Sequence, residues 1–357
     1  RSVFSEVEYI GQECVSTKWV VRPKMIDNKP SVKARLCARG FEEDQDFRTD
    51  SPTCSREGTR LVLSIIASQA WTLHSLDVKT AFLQGRPIER EVFIRPPKEA
   101  CTTKIWLLKK TVYGLADASR SWYLKLKEEL TKLGGRPAKL DQSIFTWYNT
   151  DNSLMGITIC FVDDVIWGGS DLFESVIKNL KETFSIGSEN SHSFNYVGTL
   201  LKQHSDFSIT IDQEEYIAGI NPIILENVDR TDKLRHLTDS EKTRLRVTLG
   251  QLNWVAGMTR PEISFAVSDI SARVSFSTIN DLIDVNKTIK FIQSTPSYIT
   301  IPKLDLESMK VAEYYDTSFN NLHDGSSQCG YATFLCNCHN QCAIISWSST
   351  RIKRVVR

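Results

Sequence analysis

The 357-residue chain predicts an α+β fold, with an antiparallel sheet covered by helices on one face. Three observations lead there. Residues 59–69, TRLVLSIIASQ, place apolar side chains at helical spacing and read as a buried helix. Residues 71–77, 144–149 and 155–167 read as strands. A second helical run, 123–133, falls between the first of those strands and the other two, and mixed runs in this order favour a sheet with segregated helices.

The remaining elements follow in order. Residues 17–41 are two extended stretches joined by the turn-forming Asp27-Asn28-Lys29-Pro30. Gly134-Gly135 stops the helix at 123–133. Residues 171–184 form an amphipathic helix, and 194–212 a hairpin with His204-Ser205-Asp206 at its turn. Residues 240–273 and 280–293 read as helices. After Thr295-Pro296 the pattern changes to strands at 309–315, 330–336 and 343–347, which puts a domain boundary near residue 300. No internal repeat or low-complexity segment is visible.

Bulk properties restrict the function classes. A hydrophobic content of 41% supports well-formed cores, and the length suits two or three domains. No stretch approaches the roughly 20 apolar residues of a membrane span, and the first residues lack the apolar block of a secretory signal. The chain begins without Met and ends on Arg-Val-Val-Arg, so it reads as a piece of a larger polyprotein. Nine cysteines without a paired framework suit reduced thiols inside a cell. Cys329, Cys336, Cys338, His339 and Cys342 cluster in sequence, but C-x-C-H-x-x-C matches no standard zinc spacing. They read as small strand hydrophobes. The net charge of +1 hides an asymmetry: residues 1–150 hold 25 Lys+Arg against 18 Asp+Glu, and residues 151–357 hold 19 against 25. A basic first half suits phosphate contact, although a mixed solvated surface would look the same.

Asp163 and Asp164 interrupt the apolar run 157–169. Burying a carboxylate costs several kcal/mol unless a cation or strong donors compensate, so the pair implies a hairpin tip that meets something positive. A divalent ion with a preference for oxygen ligands, Mg²⁺ or Mn²⁺, is the obvious candidate; a solvated turn is the ordinary alternative. Asp77 interrupts a second strand-like stretch 86 residues earlier. Carboxylates on two neighbouring strands can hold two ions roughly 3.5–4 Å apart, the arrangement used for nucleotidyl transfer.

Three segments together resemble successive motifs of copia-type retrotransposon reverse transcriptases. They are Leu76-Asp77-Val78-Lys79-Thr80-Ala81-Phe82-Leu83-Gln84-Gly85, Val112-Tyr113-Gly114-Leu115 with Arg120 and Trp122, and Phe161-Val162-Asp163-Asp164. Val32-Lys33-Ala34-Arg35-Leu36-Cys37-Ala38-Arg39-Gly40-Phe41 resembles that family's fingers strand. Tyr196-Val197-Gly198 resembles the segment after the metal-binding strand, and Gly250-Gln251-Leu252-Asn253-Trp254 with Thr259-Arg260-Pro261 the part leading to a ribonuclease H domain. The ordered series spans most of the chain.

The resemblance implies a right-hand polymerase with an antiparallel palm sheet, followed by a truncated ribonuclease H-like α/β segment. Residues 1–222 would be fingers and palm, 223–300 thumb and connection, and 301–357 the incomplete ribonuclease H-like part. Asp77, Asp163 and Asp164 would be catalytic, with Asp77, Asp163 and the Val78 carbonyl holding two Mg²⁺ or Mn²⁺ ions. Lys33 and Arg35, two apart on one strand face, suit a triphosphate, and Arg39 faces the same way. Phe82 would lie against the incoming sugar and exclude a 2′-hydroxyl, although a core phenylalanine is the plain alternative. Ala116-Asp117-Ala118-Ser119 stand where many members have Lys-Gln-Ala-Pro, so Asp117 would bring negative charge to the nucleotide contact. Asp316 would be the first ribonuclease H carboxylate, and its partners would follow beyond residue 357, so ribonuclease H activity is expected to be absent. The implied partners are an RNA template, a DNA primer, dNTPs and other Pol segments such as integrase and protease. The implied location is a cytoplasmic virus-like particle with access to the nucleus. The alternative is an inactive remnant that binds nucleic acid without extending primers.

Overall fold

In the computed structural model, the described residues are 2–26, 29–44, 46–225, 231–320, 322 and 324–352. They form two compact units: residues 1–54 with 75–189, and residues 55–74 with 190–357.

The first unit opens with strands β1 (Phe4–Val7) and β2 (Cys14–Val15). A long hairpin of β3 (Thr17–Ile26) and β4 (Lys29–Ala38) follows. The two extended stretches are as expected; the tip at Asp27-Asn28 lies outside the described residues. Helix α1 (Arg56–Ser68) belongs to the second unit, and the first resumes at β5 (His74–Val78), β6 (Phe93–Ile94) and β7 (Ile105–Leu108). Helix α2 (Ala118–Lys132) starts five residues before the expected run at 123. Then come β8 (Arg136–Pro137), β9 (Ile144–Tyr148), β10 (Leu154–Phe161), β11 (Asp164–Gly169), helix α3 (Asp171–Thr183) and β12 (Ile186–Ser191).

Six of these strands make one sheet in the order β12-β5-β11-β10-β9-β8, and β8 to β11 pair antiparallel. The α+β mix is therefore as the sequence predicts. The core holds Trp122, Leu126 and Leu130 of α2, Phe173, Ile177 and Leu180 of α3, and Phe145, Trp147 and Trp167 of the sheet. Each such buried side chain contributes roughly 1.5–3 kcal/mol. Gly156 and Gly169 are register partners on β10 and β11, and a Cβ on either would fall 2.3–2.4 Å from the Phe173 ring. This slot of bare backbone is what lets α3 sit close to the sheet.

The second unit contains a sheet ordered β13-β14-β15-β16 (Ser193–Tyr196, Thr199–Gln203, Ile209–Asp212, Ile299–Ile301). The expected hairpin at 194–212 is thus three strands; β14 and β15 turn through His204 and Asp206, and β13 pairs back onto β14. Helices α4 (Glu214–Ala218), α5 (Asp239–Met258), α6 (Ser264–Ala272) and α7 (Ile279–Ser294) build the core around Leu245, Leu252, Val255, Val267, Leu282, Val285 and Ile289. The helical reading at 240–273 needs a correction: the run breaks at Thr259-Arg260-Pro261, because Pro removes a donor and clashes inside a helix. Arg260 is buried at the break, and its guanidinium donates to the Ile292 carbonyl and Thr295 Oγ1, both at 3.0 Å.

Strands β17 (Lys310–Ser318), β18 (Ser327–Cys336) and β19 (Cys342–Ile352) form a three-stranded antiparallel meander. It is tied to the end of α5. Buried Arg60 of α1 donates to the carbonyls of Gly257 (2.5 Å), Met258 (3.1 Å) and Ile345 (3.1 Å), and lies 3.8 Å over the Trp347 ring. Trp347 Nε1 donates to the Ala256 carbonyl at 2.8 Å. The last carbonyls of a helix lack intrahelical partners, and a cation there also complements the helix dipole. Of the cysteine cluster, Cys329, Cys336 and Cys342 lie on β18 and β19 as read, whereas Cys338 lies in the turn between them, and Cys338 and Cys342 are exposed. Among the described residues, no helix is long and apolar enough to cross a membrane.

Candidate active site

The apolar run interrupted by Asp163 and Asp164 is a β-hairpin, with the turn at Val162-Asp163 between β10 and β11. Val162 takes φ +56°, a left-handed backbone that a β-branched residue adopts only under constraint. Two contacts supply the constraint. Trp122 Nε1 of α2 donates to the Val162 carbonyl at 2.5 Å, and the Val78 amide of β5 donates to the Asp163 carbonyl at 2.9 Å. The second bond fastens the turn to the strand that carries Asp77.

A cavity of about 740 Å³ opens beside this turn, within the first unit. Asp77, Val78 and Asp163 line it together with Lys33 and Arg35 of β4, Tyr113 and Gly187. Five residues singled out from the sequence therefore share one wall of space, although they come from three separate segments. Asp164 is part-buried and does not line the cavity. Burial raises its pKa to about 6, and the neighbouring charges of Asp163 and Asp77 push the same way, so all three acids are within electrostatic reach.

Other expected residues lie elsewhere. Phe82 does not line the cavity; its ring packs against Tyr113 with centroids 4.9 Å apart. Arg35 sits 5.3 Å from the centroid of the Tyr113 ring. Tyr113, unlike Phe82, lines the space, and burial raises its phenol pKa. Arg39 follows the end of β4 and pairs with Glu42 at 3.9 Å. Asp117 does not line the cavity either. It precedes α2 and is engaged by Arg90, whose Nη1 donates to Oδ2 at 2.6 Å and Nη2 to Oδ1 at 3.1 Å. The expectation that Asp117 projects charge toward a nucleotide is corrected accordingly: an internal cation takes up that charge. Asp316 lies in the second unit on β17, and its Oδ1 accepts from the Thr317 amide at 2.8 Å.

Two further residues had no signal of their own in the sequence. Tyr113 was visible only as part of a motif. Gly187 on β12 backs Asp77 so closely that a Cβ there would lie 2.3 Å from Asp77 Oδ2. Only the sheet order, which sets β12 beside β5, gives that glycine its meaning.

Among the described residues, no three His, Cys, Asp or Glu side chains converge as metal ligands. Two carboxylates and the Val78 backbone do share the cavity wall. Mg²⁺ is commonly held by one or two carboxylates, with water and substrate phosphates completing an octahedron. Asp164 is raised first by burial and then by the charges of Asp163 and Asp77, so these acids stand close together in a poorly solvated place. These residues fit a hard divalent cation bound jointly with a phosphate substrate.

The profile of the family described as reverse transcriptase (RNA-dependent DNA polymerase) matches residues 5–239. The chain belongs to that family. It is 28% identical over 347 residues to the retrovirus-related Pol polyprotein from transposon RE1 of Arabidopsis thaliana, covering 91% of this chain and 23% of that one. The Pol polyprotein from transposon TNT 1-94 of Nicotiana tabacum is 26% identical over 289 residues, covering 73% and 22%. The chain thus spans about a quarter of the length of these relatives. They bear out the resemblance to copia-type Pol polyproteins drawn from the motifs. A solved foamy viral protease-reverse transcriptase in complex with double-stranded DNA matches with TM-score 0.53 at 12% identity, over 98% of this chain and 53% of that one. That likeness speaks to the fold.

Proposed function

We propose that the chain is an RNA-directed DNA polymerase of a copia-type retrotransposon, which adds dNTPs to a primer 3′-hydroxyl on an RNA or DNA template. The observation that carries this reading is the single cavity lined by Asp77, Val78 and Asp163 together with the cations Lys33 and Arg35. Carboxylates and cations around one space suit a triphosphate held between metal and protein cations. In this reading residues 1–222 act as fingers and palm, 223–300 as thumb and connection, and 301–357 as a ribonuclease H-like segment carrying Asp316.

Asp77, Asp163 and the Val78 carbonyl would hold two Mg²⁺ or Mn²⁺ ions, with Asp164 as the third acid. Bound there, the ions would lower the pKa of the attacking hydroxyl and neutralise charge on the leaving pyrophosphate. The protein's own part is positioning. Arg35 and Lys33 hold the phosphates, and the Trp122 and Val78 bonds fix the turn that presents Asp163. Phe82 braces Tyr113 from behind, so this aromatic pair supplies the bulk that disfavours a 2′-hydroxyl. The template, the primer and an intracellular virus-like particle are proposed by likeness to the Pol polyproteins. The alternative, an inactive remnant that binds nucleic acid without extending primers, drew only in part on Asp117, whose carboxylate pairs with Arg90.

Primer extension on poly(rA)/oligo(dT) with Mg²⁺ or Mn²⁺ tests the proposal. The parent should extend and Asp163→Asn should fall to background; equal incorporation by both would defeat it. In the same assay Phe82→Ala should accept ribonucleotides more readily than the parent.

A further inference from the structure

The hairpin of β3 and β4 carries Lys33 and Arg35, yet little apolar packing holds it. Along β4 only Ala38, its last residue, is buried. A two-stranded ribbon is marginal by itself, so the contacts at its base must set its pose. Some of these are backbone bonds: the Ala38 amide donates to the Tyr113 carbonyl at 2.7 Å and the Gly40 amide to the Gly114 carbonyl at 3.2 Å.

The chain after Gly40 passes the start of α2, and one part-buried group fastens it there. Arg90 donates from Nε to Glu43 Oε1 at 2.6 Å and from Nη2 to Glu43 Oε2 at 3.1 Å. Its other edge takes both oxygens of Asp117, and its plane lies 4.0 Å from the Phe47 ring centroid. The Glu43 and Asp117 side chains are only 12% and 15% exposed, so solvent screens these pairs little. By contrast, the nearby Arg120–Asp50 pair has its carboxylate 56% exposed and counts for less. A planar guanidinium can bind two carboxylates each through a two-pronged fork, as an ammonium cannot.

We infer that Arg90 is a positioning residue: it locks the segment after β4 to the start of α2, and so fixes where Lys33 and Arg35 stand relative to Asp77 and Asp163. In this chain Asp117 serves as the anchor for that lock. The inference rests on the polymerase reading only for its kinetic consequence.

Two measurements test it on the full chain. The triple variant Arg90→Gln, Glu43→Gln, Asp117→Asn removes the lock without stranding a buried charge. Hydrogen exchange should quicken in residues 29–44 and stay unchanged in β10 and β11. For single-nucleotide extension, KM for dNTP should rise about tenfold while kcat stays within about threefold. Arg90→Lys keeps the charge without the fork and should resemble the triple variant. Parent-like exchange in a folded triple variant overturns the inference, as does full recovery with Lys. A parent that neither binds dNTP nor extends primers defeats the polymerase reading instead, and the exchange data still decide the lock.

Discussion

Replacing Gly187 by Ala should separate stability from activity. The added Cβ would stand 2.3 Å from Asp77 Oδ2, against an ordinary closest approach of about 3.2 Å. Something must move by about 1 Å. The close neighbour is the tip of a side chain, so the shift is cheap for the fold. Gly187 is not among the positive-φ residues, and Ala therefore fits its backbone. Folding free energy should change by less than about 1 kcal/mol. Activity should respond otherwise, because a carboxylate displaced by about 1 Å can cost about a hundredfold in rate. The assay is steady-state primer extension alongside a melting curve of the same preparation. A variant that melts like the parent and extends at the parent's rate would refute the placement of Asp77 as a reacting-centre ligand.

Two further predictions concern the second unit. Glu241 sits in the capping box of α5, and its carboxyl is held down to about 2, first by the Arg235 guanidinium and then, against the cost of burial, by the Thr238 amide and hydroxyl. A depressed carboxyl stabilises above its unfolded pKa and loses that contribution as pH falls through the folded value. The shift from 4.5 to about 2 amounts to about 3 kcal/mol, so Glu241→Gln should melt well below the parent at pH 7 and approach it near pH 2. A gap that does not vary with pH would count against this account. Arg60→Met should expose the end of α5 to exchange and cost about 3–5 kcal/mol, since the carbonyls of Gly257 and Met258 lose a buried cationic donor. Unchanged exchange in residues 250–258 would show that Trp347 holds the helix end without it.

The sequence by itself determined the family and most element types, and it singled out the acids. Asp77 and Asp163 stood out because a carboxylate inside an apolar strand has no cheap structural reason to be there. Helical periodicity at 59–69 and the glycine stop at 134–135 worked because both are local signals, read within one or two turns. Pro261 was a local signal too, and it broke a run that apolar spacing alone carried on to residue 273.

Tertiary structure decided the rest. Asp117 looked like an unwelcome charge until the fold brought Arg90 to it from 27 residues away. Gly187 became significant only because sheet order sets it beside Asp77, and Tyr113 rather than Phe82 reached the cavity because the two rings pack one behind the other. The physical reason is the same in each case. Propensity and periodicity are properties of neighbours along the chain, whereas charge compensation and close approach depend on distances that exist only after the chain has folded.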